Sequence, residues 1–196
     1  MLFRRIETPP PQKKYQDYKP YLRRDFHIRC AYCLIHEAHY GGLRNYHVDH
    51  FRPKKLFPQL TLSYPNLYYA CGLCNTFKSD VWPSPEQQHA GFAFADPCIE
   101  DPYEIHFQVN DHDGSLRPIT NAGQYTIAHL RLDRNQLRRT RLRQIETLKA
   151  IKEAWALLQI SNAPPELIRR TEDLLNQIER DTLDPPPPYE PLDLLP

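Results

Sequence analysis

Glycine is scarce in this chain, six residues in 196 against 20 prolines. That ratio excludes a long repetitive sheet and predicts few regular elements joined by irregular or extended segments. No apolar run reaches membrane-spanning length, and Met1 to Arg5, followed by Glu7 and Pro9-Pro10-Pro11, lacks the apolar core of a signal peptide. A soluble, cytoplasmic protein with no membrane partner is expected. In that compartment paired cysteines point to metal rather than to disulfides. An excess of one charge is also missing: the formal net charge is +1 and the pI about 7.7, which favours neither an acidic nor a basic partner. The length allows one domain with a real core, or a compact catalytic module with a helical appendage, and excludes two large domains.

What the chain does contain is unevenly distributed. Residues 1–26 carry Lys13, Lys14, Lys19, Arg23 and Arg24 without a sustained apolar period, and read as an extended basic arm that packs on the domain or on a ligand. Residues 27–120 hold the closely spaced cysteines, a dense polar cluster and an irregular extension. In that extension Asp111-His112-Asp113-Gly114 predicts a hairpin turn between Phe107 and Leu116. Residues 121–183 read as helical. Leu142, Ile145, Leu148, Ile151, Trp155 and Leu158 recur every three or four positions and predict a helix over 135–160. A second helix is predicted over 165–180, with Pro165 in its first turn and a turn at 161–164 making a helical hairpin. Residues 184–196, with four consecutive prolines, form a polyproline-like tail. A basic stripe of Arg131, Arg134, Arg138, Arg139, Arg141 and Arg143 suits a phosphate backbone, although a solvated helix face accounts for it equally.

Cys30-x2-Cys33 and Cys71-x2-Cys74 are matched pairs separated by 37 residues. Each tight turn presents two thiolates, and two turns complete a tetrahedral structural Zn2+ shell with a subdomain between them. A redox disulfide needs only one pair. Cys98 has no partner at ligand spacing and reads as a small buried side chain.

Between the pairs lie His47-Val48-Asp49-His50-Phe51-Arg52-Pro53-Lys54, then Asn66, then Asn75 and Lys78 after the last cysteine. Phosphodiester hydrolysis needs a base for water, a hard cation and a donor for the phosphate. Asp49 and Asn75 offer oxygens for Mg2+ or Mn2+, and His50 offers an imidazole that is neutral near pH 7. Lys78 stands nearly one turn beyond Asn75, on the same helix face, within reach of a phosphate. His47 shares a strand face with Asp49. Arg52, Lys54 and Lys55 suit phosphate contacts, and Tyr68 and Tyr69 suit the core.

The order Cys-x2-Cys, Asp-His-x-x-Pro, Asn-Leu, Cys-x2-Cys-Asn-x2-Lys resembles the four-cysteine branch of the HNH endonucleases. The resemblance implies an α+β fold: a zinc-stapled ββα-metal (HNH, or His-Me finger) core, here with the C-terminal helical hairpin. It further implies that Asp49 and Asn75 bind the catalytic ion, that His50 activates water, that Asn66 holds the loop orienting the histidine, and that the four cysteines bind zinc. The histidine common at the last motif position is Asn75 here, which favours Mg2+ or Mn2+ over zinc. His47 to Lys54, with Ala95-Asp96-Pro97-Cys98, Asp101-Pro102, Thr126-Ile127, Leu130 and Leu132, is similar to HNH proteins of retrons and Septu-like antiphage systems. That similarity implies a defence effector working beside an ATPase. DNA is expected ahead of RNA as substrate. The competing reading, a noncatalytic zinc module that binds nucleic acid or protein, requires the cysteines but has no use for Asp49, His50 and Asn75 together.

Overall fold

The computed structural model describes residues 2–183 apart from Glu7 and Asn162, with side chains through Asn176. The tail expected over 184–196 lies outside the described residues. Helix α1 (Lys19–Asp25) is followed by strands β1 (Tyr46–His50) and β2 (Leu67–Cys71), then helices α2 (Gly72–Lys78), α3 (Pro85–His89) and α4 (Pro102–Ile105). Strands β3 (Phe107–Val109) and β4 (Leu116–Pro118) come next, and α5 (Asn121–Leu130), α6 (Asn135–Ile160) and α7 (Pro165–Leu183) complete the order. Short 3-10 turns fill several of the connections. The chain thus mixes helices with two small antiparallel sheets.

β1 and β2 pair antiparallel from Tyr46 opposite Cys71 to His50 opposite Leu67, and Asp49 faces Tyr68 across the ladder. β2 is buried along its whole length, because α1 covers one side and α2 follows it directly. The buried apolar cluster runs from Phe3 to Leu137, so the N-terminal segment and α5 share one core with residues 27–120. The segment expected to be extended over 1–26 does pack on the body, with the Phe3 amide bonded to Pro97 O at 2.7 Å. Its last part, however, is α1. Pro20 sits in the first turn, and Tyr18, Leu22 and Phe26 at four-residue spacing supply one short buried stripe. Arg23 on α1 forks onto buried Glu37 at 2.8 and 3.1 Å, and Tyr69 of β2 donates to the same carboxylate. That network ties α1 to the sheet.

α6 spans the residues its periodicity predicts, and its stripe from Leu142 to Leu158 is half-buried at each position. α7 contacts it and runs three residues further than predicted. Half of the arginine stripe is engaged by contacts within the protein. Arg138 pairs with Asp113, and buried Arg141 donates to Gly114 O at 2.7 Å and Leu132 O at 3.1 Å. Arg134 turns to a cysteine described below. Arg131, Arg139 and Arg143 stay exposed, so within the stripe only Arg138 and Arg141 tie α6 to the β3–β4 hairpin.

That hairpin turns at Gly114, where φ is +68° and an added Cβ would fall 2.1 Å from Arg138 O. Both the backbone angle and the closeness of α6 demand glycine. Gly114→Ala is expected to cost at least about 2 kcal/mol, lowering Tm by on the order of 5 °C in a thermal melt. An unchanged Tm contradicts this packing.

Candidate active site

Cys30 and Cys33 sit on a turn whose Ala31 amide bonds Tyr69 O of β2 at 2.8 Å, and Cys71 and Cys74 flank the start of α2. The four sulfurs lie within 4.8 Å of one another, all four residues are buried, and none is in a disulfide. Cys33 and Cys71 Sγ are 3.8 Å apart. A tetrahedron with Zn–S bonds of about 2.3 Å has an edge of about 3.8 Å, so the cluster is positioned for zinc. Arg134 Nη2 lies 3.6 Å from Cys74 Sγ, a cation placed against what would be a doubly negative zinc–tetrathiolate centre. Sequence reading placed this arginine in a stripe that suited either a phosphate backbone or a solvated helix face. Only the turn between α5 and α6 reveals its target.

Asp49 lies next to the last residue of β1 and is 5% exposed. Two donors converge on its Oδ2: the hydroxyl of Tyr32, and Lys78 Nζ at 3.1 Å. Tyr32 is the residue before Cys33, and Lys78 is four residues past Cys74, so each cysteine pair sends one side chain to this carboxylate. No described residue bonds Oδ1, and this oxygen keeps contact with solvent. Burial raises the Asp49 carboxyl above its ordinary range, opposed by the Lys78 charge and the Tyr32 hydrogen bond. Burial likewise lowers the Lys78 ammonium, opposed by Asp49.

Lys78 does not reach outward to a phosphate position. It is fully buried, and besides Asp49 it donates to His50 O at 2.6 Å. The helix face it shares with Asn75 turns inward at this point, and the ammonium is used to fix β1 against α2. Asn75, half-buried one turn earlier, has no side-chain hydrogen-bond partner among the described residues. His47 is exposed and lies over the first turn of α2, where a Cβ on Gly72 would come 3.5 Å from its Nε2.

His50 is 7% exposed. Its Nε2 is 3.0 Å from Thr61 O. A carbonyl only accepts, so Nε2 carries the hydrogen and Nδ1 carries the lone pair. Nδ1 has no partner among the described residues. Burial lowers the imidazole pKa, opposed by the Thr61 bond and Asp49. The ring also packs edge-on to Tyr15, centroids 4.7 Å apart. Asn66 accepts from the Arg52 amide at 2.9 Å and donates to Arg52 O at 3.0 Å, and its amide also reaches Leu60 O at 3.4 Å. It thereby pins both ends of the loop that delivers Thr61 to His50. The structure brings Asp49, His50, Asn66 and Lys78 into one bonded set. Tyr32, Thr61 and Tyr15 join them without having been legible, since each acts through a partner distant in sequence.

The segments behind the wider similarity serve the frame. Ala95 N bonds Thr126 Oγ1 at 2.8 Å, Asp96 accepts from Tyr68 and from the Cys98 amide, and Asp101 caps α4. Cys98 is half-buried rather than buried.

Comparison with known families gives one match: the HNH endonuclease model, over residues 30–80. It takes in both cysteine pairs, β1, β2, α2 and every residue of the set just described except Tyr15. No curated protein matches the chain.

Purified protein is expected to carry one zinc per chain, released in step with titration of four thiols by a mercurial. Structural zinc binding contributes about 10–16 kcal/mol in small domains, as much as a whole domain's net stability. Cys74→Ser is therefore expected to lose both the metal and the cooperative melt. A Cys74→Ser protein that melts like the parent contradicts the structural role.

Proposed function

We propose that residues 30–80 form a ββα-metal HNH nuclease centre that hydrolyses phosphodiester bonds, with His50 as general base and Asp49 and Asn75 as ligands of a catalytic Mg2+ or Mn2+. The observation that carries this reading is the Nε2 bond of His50 to a backbone carbonyl, which leaves a neutral imidazole with its basic nitrogen unoccupied. A hard divalent ion fits the donors present, one carboxylate oxygen left unbonded and one unpartnered amide side chain. When bound, it supplies charge neutralisation on the phosphate in the transition state.

The chain's own residues do the rest. Nδ1 of His50 takes the proton from an attacking water, and the lowered pKa keeps it able to do so at neutral pH. Tyr32 and Lys78 hold Oδ2 of Asp49 and leave Oδ1 for a ligand. Asn66 is a positioning residue, because it sets the carbonyl that sets the tautomer. Lys78 is likewise a positioning residue and not a phosphate ligand.

The reading extends to a cytoplasmic DNA nuclease, DNA ahead of RNA, acting as effector of an antiphage system beside an ATPase subunit. Its support is the similarity of residues 47–54, 95–102 and 126–132 to the retron and Septu-like proteins. The exposed Leu157, Ile160, Leu167 and Leu174 of α6 and α7 offer apolar surface to such a subunit. No described helix is long and apolar enough to cross a membrane.

Cleavage of plasmid and of tRNA with Mg2+ or Mn2+, alone and with a candidate ATPase, tests the activity. His50→Ala is expected to lower the rate about 10²–10⁴-fold, the usual contribution of a general base, while keeping its zinc. Equal cleavage by parent and variant overturns the assignment. Tyr32→Phe is expected to keep the zinc and lose about 10-fold in cleavage at limiting Mn2+, as supporting hydrogen bonds of metal ligands commonly contribute. A rate within twofold of the parent contradicts the clamp on Asp49.

A further inference from the structure

Beside His50 runs a groove of about 580 Å³, with Lys13, Lys14 and Tyr15 on one wall and Gln59, Thr61 and Leu62 on the other. Two of these residues also hold the candidate base: Thr61 through its carbonyl and Tyr15 through its ring. The groove is therefore lined by two of the residues that hold His50 in place.

Its chemistry is mixed in a specific way. Lys13 and Lys14 are exposed along one rim, and exposed Lys54 places its Nζ 5.0 Å from the centre of the Tyr15 ring. None of the three lysines has an ion pair among the described residues; the acid nearest in sequence is Asp17 for Lys13 and Lys14, and Asp49 for Lys54. Leu62, 46% exposed, and Pro58 give the opposite wall an apolar character. Cations beside an aromatic and an apolar wall match a strand with phosphates on one edge and unstacked bases on the other. A duplex offers phosphates to the lysines but keeps its bases inside the stack, leaving the apolar wall uncovered.

We propose that this groove binds an unpaired nucleic-acid strand flanking the scissile phosphate, so that the centre acts on single-stranded or locally opened substrate. The proposal rests on the nuclease reading of His50 for the identity of the reaction, but its binding claim stands apart.

The test is fluorescence anisotropy of a labelled 12-nucleotide single strand, as DNA and as RNA, with a duplex of the same sequence in parallel. It uses full-length His50→Ala protein, so that cleavage plays no part. Adding Lys13→Glu and Lys14→Glu together is expected to weaken single-strand affinity at least tenfold in low salt. It should also flatten the log–log salt slope by about 1.4, from two lost phosphate contacts at about 0.7 each. Leu62→Glu, on the other wall, is expected to weaken single-strand binding without loss of zinc or Tm. The DNA and RNA arms show which backbone is accepted. Single-strand affinity and slope unchanged in both variants overturn the proposal, as does parent protein that binds duplex more tightly than single strand. Groove-dependent binding by a wild-type chain that never cleaves overturns the nuclease reading and leaves the groove assignment intact.

Discussion

The four cysteine sulfurs join the turn at residues 30–33 to the end of β2 and the beginning of α2, and this closure decides where Asp49 stands. Bringing together chain segments 37 residues apart costs about 3 kcal/mol in loop entropy. Zinc coordination of about 10–16 kcal/mol outweighs that several-fold. With the turn and helix fixed, Tyr32 and Lys78 reach one carboxylate oxygen from two directions. Without the closure both donors would move separately, and Asp49 would be a buried acid with no fixed orientation. Arg134 extends the same logic outward, because its contact with Cys74 joins the helical part of the chain to the metal-binding corner.

The Asp49–Lys78 pair is poor value as a stabilising device. Both groups are nearly sealed from solvent, and burying two charges generally costs as much as their attraction returns. An apolar pair of similar volume would serve the core better. Its presence makes sense as orientation, with one oxygen of Asp49 tied down and the other left for a ligand. His50 shows the same division, one nitrogen held by a backbone carbonyl and the other unoccupied. A site in which each polar group has one committed atom and one open atom is arranged to bind something else.

The local features of the fold were legible in the sequence. The hairpin around Gly114 followed from its turn residues, α6 from its periodicity, and the cysteine cluster from matched spacing. What was not legible depended on contacts across long separations. The buried stripe of α1 is too short to declare itself as a period, and it forms because β2 and Glu37 wait to receive it. Lys78 read as a phosphate contact because its helix face was known and the direction of that face was not. The arginine stripe read as one surface, whereas Arg134, Arg138 and Arg141 each leave it for a different internal partner. Thr61 carries no side-chain signal at all, since its contribution to His50 is a carbonyl oxygen. Tyr15 sits 35 positions from the histidine it packs against.

The central claim is that two metal sites of different chemistry sit side by side, thiolates holding zinc and hard oxygens holding the catalytic ion. Anomalous diffraction from crystals grown with Mn2+, collected at the zinc and manganese edges, tests it most directly. The account predicts a zinc peak among Cys30, Cys33, Cys71 and Cys74, and a separate manganese peak coordinated by Asp49 Oδ1 and Asn75. Manganese bound elsewhere, or absent from that position at saturating concentration while zinc fills the cysteines, would contradict it.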